Sequence, residues 1–482
     1  MRGYLDSATF FRRVGGPGGF LAVSGWASLT DGGARPPLVA EIRAGRTIVR
    51  FPCDLPRPDV AAADPRCSEW SGFDAVIPVA DVVVPAMLSI DIMAEGRACG
   101  SLSGPIICPE QHIAAIAPRL TRLHRIKLEN LVLNERERLS RVTRTRSLPV
   151  TGQIDPSFGC NLRCPLCLSE MARRDGYRLP TLRLDQLDRI LAQYGDCLVR
   201  IWLSLWGEPL LNKDLPAMIA RCKQRDIWVL ISSNMSVPLK PHATEDLVRS
   251  GLDSIILSID GATQATYSRY RQGGSLDLAL DNVRQLVAAK RALGSPTPHL
   301  YWRYLTFAWN RHEVEQARQL AASLGVDEFG TSPGVLTPET RHDFTPRVGD
   351  QEAAQVGDRL LANWRRHAAE RRRRTQWFGC DYHYASISIN SDGLVHPCCY
   401  VVSPAHAIGS ATDPVDQLRN GPVMRDNRAM FAAVGTDEQT GPRGHEPCAS
   451  CSTIDATCGH IVTQTNFRQL YGYLVNGRPM RW

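Results

Sequence analysis

Three regimes of hydrophobic patterning run along the chain. Residues 1 to about 110 carry short apolar runs with partial two-residue alternation: GFLAVSGWASL, PLVAEIRAGRTIVRF, FDAVIPV and MLSIDIMAEG. They are rich in β-branched residues and separated by Gly, Pro and Asp, which predicts strands, and several strands in so short a span predict a small β-sandwich. In QHIAAIAPRLTRLHRIKLENLVLNERERLSRV, apolar residues recur every three or four positions. This periodicity predicts a connecting helix over 111–148, broken near Pro118.

From 149 to about 345 the pattern becomes a strand–helix alternation. VTGQIDPS, LVRIWLSLW, WVLISSN, SIILSID, HLYWRYLTF and DEFGTS read as strands. Between them LRLDQLDRILAQYG, DLPAMIARCKQR and SLDLALDNVRQLVAAKRA read as amphipathic helices. Six βα units predict an α/β domain with a parallel sheet, either doubly wound or closed into a partial barrel. Functional residues of such folds gather at the C-terminal ends of the strands. Over 375–482 the alternation fades and cysteines concentrate.

Composition adds limits. The chain has 482 residues, 43% hydrophobic and 22% charged, as in a globular protein of two or three domains. The N-terminus lacks the apolar core of a signal peptide, and no run of about 18 apolar residues occurs. A cytoplasmic protein without a membrane span is expected. In that compartment fifteen cysteines point to metal binding or catalysis rather than disulfides. The net charge of +7 is modest, and the basic runs RERLSRVTRTR and RRHAAERRRR lack interleaved aromatics. They read as solvated helix faces, and no nucleic-acid partner is expected.

The densest chemistry is GCNLRCPLC, which places Cys160, Cys164 and Cys167 in a C-x3-C-x2-C array just after the first strand of the alternating region. Zinc and iron–sulfur clusters both use such thiolates. A closed zinc site needs a fourth Cys or His, and none occurs before Cys197. A cubane cluster on three thiolates leaves one iron open to a small chelator. Cys53, Cys67, Cys99 and Cys108 have no ligand spacing, and Cys197 and Cys222 read as core thiols.

This array, following the first strand of a six-unit βα region, resembles the radical S-adenosylmethionine (SAM) enzymes, whose fold is a partial (β/α)6 barrel. The resemblance implies a 4Fe-4S cluster on Cys160, Cys164 and Cys167, with S-adenosylmethionine chelating the open iron. Further matches follow at successive strand ends. Gly207, Glu208 and Pro209 resemble the family's GGEP segment, where Glu208 accepts from the methionine amino group; Trp206 replaces the first glycine. Ser233 and Asn234 lie at a strand end typical of cofactor contact, Ser258 and Asp260 suit ribose hydroxyls, and Arg271 suits the methionine carboxylate. Leu166 stands where many members carry an aromatic residue.

The C-terminal region resembles the SPASM domain, which implies an auxiliary 4Fe-4S cluster on Cys380, Cys398, Cys448 and Cys451. SINSDGLVHPCC reads as a hairpin whose second strand ends at a ligand. Alternation along that strand turns Cys399 away, and Cys458 is an alternative ligand. A zinc ribbon using His445 or His460 is the competing reading. The N-terminal region resembles accessory β-sandwich modules attached to some bacterial glycosyltransferases.

The resemblance implies an enzyme that cleaves S-adenosylmethionine reductively to methionine and a 5′-deoxyadenosyl radical. That radical abstracts hydrogen from a peptide, protein or glycan-related substrate. An external electron donor such as flavodoxin or ferredoxin is implied as partner. No catalytic acid or base is assigned. A non-catalytic iron–sulfur electron carrier or binding protein is the alternative.

Overall fold

In the computed structural model the four alternating N-terminal runs supply five strands, and the described residues of this region add three more. The structure describes residues 1–29, 37–44, 47–53, 55–56, 60, 63–64, 66–67, 70–79, 87–165, 167–240, 242–307, 309–333, 380, 382–399, 401–433, 467–477 and 480. These residues fall into two compact units. Of the described residues, those within 1–147, Cys380 and 428–433 make up one unit; those within 148–333, 382–427 and 467–480 make up the other.

In the first unit the strands are β1 (Arg2–Arg12), β2 (Gly19–Ser28), β3 (Leu38–Ala44), β4 (Thr47–Pro52), β5 (Leu55–Pro56), β6 (Trp70–Val79), β7 (Met87–Ala94) and β8 (Arg97–Ile107). They form one sheet in the order β4-β3-β7-β8-β1-β2-β6-β5. β8 joins its halves by pairing antiparallel with β7 and, at Ile106 and Ile107, parallel with Ala8 and Thr9 of β1. The sheet folds over on itself, bringing Phe51 of β4 and Phe73 of β6 to a ring-centroid distance of 5.7 Å. The expected sandwich is therefore one continuous sheet over a shared core that includes Phe10, Ile42, Ile77 and Ile90. The run PLVAEIRAGRTIVRF divides into the hairpin β3–β4.

Helices α1 (Pro109–Ile116) and α2 (Arg122–Leu139) follow, separated by a 3-10 turn at Ala117–Arg119. Pro118 ends the first helix there, because it offers no N–H to the helical ladder. Thr121 caps α2 by accepting from the His124 amide. The helix is tied to the sheet: Arg136 Nε donates to Arg12 O (3.0 Å), and Val14 N donates to Ser140 Oγ (2.9 Å).

In the second unit six parallel strands run in sequence order: β9 (Thr151–Ile154), β10 (Arg200–Trp202), β11 (Trp228–Ser233), β12 (Ser254–Leu257), β13 (His299–Thr306) and β14 (Glu328–Pro333). The linking helices include α3 (Leu168–Arg174), α4 (Leu184–Tyr194), α5 (Leu215–Lys223), α6 (Ala243–Arg249), α7 (Gln264–Tyr270), α8 (Leu276–Ala292) and α9 (Val314–Leu324). Their apolar stripes, such as Leu187 and Ile190 of α4 or Val283 and Leu286 of α8, pack on Ile201, Val229, Ile231, Ile255 and Trp302. This covers one face of every strand. The alternate residues, among them Gln153, Trp202, Ser232 and Arg303, lie on the other, concave face. The result is the expected partial barrel.

Beyond β9 the sheet continues with β15 (Ser386–Ile389), which pairs parallel with β9 from Ser386–Thr151 to Ile389–Ile154. β16 (Leu394–His396) returns antiparallel, and β17 (Gly409–Ser410) follows. The predicted hairpin is present, but its second strand ends at His396. Cys398 and Cys399 lie beyond it, so alternation along the strand does not assign a face to Cys399. No described helix is long and apolar enough to cross a membrane.

Candidate functional site

The loop bearing Cys160, Cys164 and Cys167 leaves the C-terminal end of β9. Asp155 anchors its start: the Asp155 amide donates to Ile389 O (2.9 Å), and its carboxylate accepts from Trp206 N (3.1 Å). Burial raises the Asp155 carboxyl to about 6, despite nearby Trp206, Gly207 and Ser157 amides and the Ser391 hydroxyl. The Trp206 indole donates to Asn390 Oδ1 (3.0 Å), linking the loop after β10 to the residue following β15.

Gly207 lies against the chain leading into the cysteines. A Cβ there would stand 1.8 Å from Ser157 O and 2.4 Å from Gly159 O, so a side chain has no room. The Glu208 amide then donates to Gly159 O (2.8 Å). The Glu208 carboxylate is buried and accepts from Ser233 Oγ (2.8 Å), Asn234 N (2.8 Å) and Leu210 N (3.1 Å). Burial raises its pKa despite these donors. Pro209 begins the 3-10 turn that Glu208 caps. The Gly-Glu-Pro segment thus clamps the cysteine loop to the end of β11. Three of the roughly four acceptor positions of Glu208 are already taken.

Cys164 is buried, while Cys160 and Cys167 are half-buried. Cys160 Sγ is approached by Leu162 N at 3.4 Å and by Asn234 Nδ2 at 3.9 Å. Asn234 also donates to Asn161 Oδ1 (3.1 Å), and Asn161 donates to Ser236 O (2.6 Å). Burial pushes the Cys164 thiol up to about 12, against the pull of Arg271. Arg271 Nη1 stands 3.9 Å from Cys164 Sγ. Arg173, paired with Glu170 at 2.7 Å, braces the loop through Leu162 O (3.1 Å). Among the described residues no three His, Cys, Asp or Glu side chains gather as they would around a single ion.

Asp260 and Arg271, assigned by resemblance to different parts of one ligand, pair with each other at 2.6 Å. Asp260 Oδ1 also accepts from Leu305 N (2.7 Å). Ser258 Oγ lies 3.1 Å from Ser232 Oγ across the concave face. An aromatic wall that the sequence reading missed flanks the loop. Phe307 and Trp309 stack at 4.3 Å, Tyr270 meets Phe307 at 4.9 Å, and the cluster packs on Cys160, Cys164 and Cys167. Its signals in the sequence were FAWN at the end of the fifth strand and the tyrosine beside Arg271. It supplies aromatic surface although Leu166, itself outside the described residues, is not aromatic.

Cys380 and Cys398 are half-buried. Cys399 Sγ lies 2.9 Å from the Tyr382 hydroxyl, which also accepts from Gln153 on β9. Cys448, Cys451 and Cys458, with His445 and His460, lie outside the described residues.

Residues 154–299 match the model of the radical SAM superfamily, and residues 380–452 match SPASM, an iron–sulfur cluster-binding domain. Mycofactocin maturase MftC of Mycobacterium ulcerans is 29% identical over 337 residues, covering 65% of this chain and 83% of that protein. The same-named protein of Mycobacterium tuberculosis H37Rv is 29% identical over 137 residues, 28% of this chain and 33% of its own length. A probable GTP 3′,8-cyclase of Methanococcus maripaludis C5 is 23% identical over 56% of this chain and 89% of its own. Streptococcus suis SuiB, solved with S-adenosylmethionine, aligns with a TM-score of 0.47 and 15% identity over 67% of this chain and 78% of its own.

Proposed function

The chain belongs to the radical SAM superfamily, in the branch bearing a SPASM domain, and from that premise we propose that it abstracts hydrogen from a peptide or protein substrate. The observation that carries the reading is the cysteine loop at the end of β9, clamped by Gly207, Glu208 and Asn234. The similarity to a maturase over 65% of the chain favours a peptide over a glycan.

The donor set fits an iron–sulfur cluster. Three thiols share one loop with no fourth Cys or His between Cys167 and Cys197, a donor set that suits a cubane better than a closed zinc site. A thiol held near 12 ionises only against a strong local cation, and bound iron provides one. Cys160, Cys164 and Cys167 would hold that cluster, and Cys380, Cys398, Cys448 and Cys451 an auxiliary one. When bound, the first cluster with S-adenosylmethionine supplies a 5′-deoxyadenosyl radical.

The chain's own residues do the rest. Tyr270, Phe307 and Trp309 exclude water from the loop. Asn234 and Arg271 aim N–H groups at Cys160 and Cys164. In this reading Gly207, Glu208, Pro209, Asn234, Ser258, Asp260 and Arg271 shape the cofactor site, with Glu208 and Asp260 acting chiefly through the protein groups they hold. Flavodoxin or ferredoxin is the proposed electron donor, and the N-terminal sheet is proposed to recognise the substrate.

The test incubates anaerobically reconstituted protein with S-adenosylmethionine, reductant and fractionated extract from deuterated cells. Deuterium entering 5′-deoxyadenosine from a protease-sensitive fraction is the expected result. Transfer only from a protease-resistant, glycosidase-sensitive fraction overturns the peptide assignment.

A further inference from the structure

Arg303 lies on β13 between two residues that face the helices. Trp302 and Tyr304 are fully buried in the core shared with Ala317 and Ala321 of α9. Alternation therefore puts Arg303 on the opposite, concave face, the face that carries the cysteine loop at its rim. Its position directly across on β14 is Gly330, which offers no side chain. On the β12 side the next position after the Leu257–Trp302 pair is Ser258, whose hydroxyl is turned to Ser232.

A guanidinium in such a place normally meets a carboxylate, because an unpaired buried charge is costly. Asp260 is the acidic group that acts on Arg303. Its two oxygens are committed, one to Arg271 Nε and the other to the Leu305 amide. Arg303 Nε is buried with no hydrogen-bond partner among the described residues. Burial, followed by the neighbouring Arg271 cation, lowers its pKa. Two cations thus share one carboxylate, and Arg303 is the one left over.

We infer that Arg303 receives a carboxylate group of the substrate and so fixes an acidic residue, or a chain terminus, in the concave face below the cysteine loop. The inference rests on the peptide reading above. A single guanidinium matches a monoanionic carboxylate by its planar fork, whereas a doubly charged phosphate calls for several donors.

Acetate serves as the probe, with chloride, acetamide and inorganic phosphate as controls at matched ionic strength. The full-length, cluster-loaded protein is melted in each, alongside R303M and R303K. Acetate is expected to raise the wild-type melting temperature by about 2 °C over chloride and acetamide. R303K should keep part of this response and R303M none, and R303M should melt no lower than wild type in chloride. An acetate response that persists in R303M overturns the inference, as does a lower melting temperature for R303M in chloride. A larger response to phosphate overturns the carboxylate assignment. Loss of S-adenosylmethionine affinity in R303M would make Arg303 a cofactor contact and overturn it too. Failure of the peptide reading would show separately, as absent deuterium transfer from peptides while the acetate response remains.

Discussion

Arg271 Nε donates to Asp260 Oδ2 across 2.6 Å, and the Asp260 side chain is completely buried. The pair joins the end of β12 to the C-terminus of α7, and the second Asp260 oxygen holds the Leu305 amide of β13. It is therefore a brace beneath the cysteine loop, with the other edge of the guanidinium directed at Cys164.

Breaking the brace leaves a buried charge without its counter-ion. D260N and R271M are each expected to lower unfolding free energy by about 3 kcal/mol. The double variant should lose less than the sum of the two, because neither charge is then stranded. Denaturant unfolding of all four proteins checks this. Strict additivity would show that the two side chains do not act as a pair.

Gly207 makes a sharper prediction. G207A must push the Ser157–Gly159 backbone away, since its Cβ would overlap the Ser157 carbonyl. The displaced loop should hold its cluster poorly, so reconstituted iron should fall by about half while far-ultraviolet circular dichroism is unchanged. Full iron content in G207A would mean that the clamp does not position the cysteines.

The parts of this architecture that were legible in the sequence are those with a local signature. Six short apolar strands between amphipathic helices announced the barrel, and three cysteines in eight residues announced the cluster loop. The pairing of β15 with β9 was not legible: Ile387 and Ile389 reveal which face of Ser386–Ile389 is apolar, but alternation does not name a partner strand. β1 and β8 went unread as well. RACGSLSGPII offers small residues and little contrast between its faces, and its place beside β1 is set by a two-residue parallel contact. The partners of Glu208 and Asp260 were hidden for a related reason. Ser233 and Asn234 reach Glu208, and Leu305 reaches Asp260, from strand ends 25 to 45 residues away, a distance that only the curved sheet brings together.

Asp155 gives a dependence on pH. Its folded pKa, about 6, lies above the ordinary aspartate value of 3.8. The folded state therefore holds this proton more tightly than the unfolded chain. Its contribution is greatest below about pH 4, declines as pH rises towards 6 and is flat above that. The full difference is about 3 kcal/mol. Infrared difference spectra should show a protonated carboxyl that titrates near pH 6 and is missing in D155N. A wild-type spectrum identical to that of D155N across pH 4–7 would contradict the burial argument.

The most direct measurement of the central claim is S-adenosylmethionine cleavage by anaerobically reconstituted protein given a strong reductant and no substrate, run beside a variant with Cys160, Cys164 and Cys167 all changed to Ala. Slow formation of 5′-deoxyadenosine is expected from the wild type, with about eight irons per chain. The variant should form none and keep about half the iron. Intact clusters without any 5′-deoxyadenosine, or equal cleavage by both proteins, would contradict the assignment of radical chemistry to this loop.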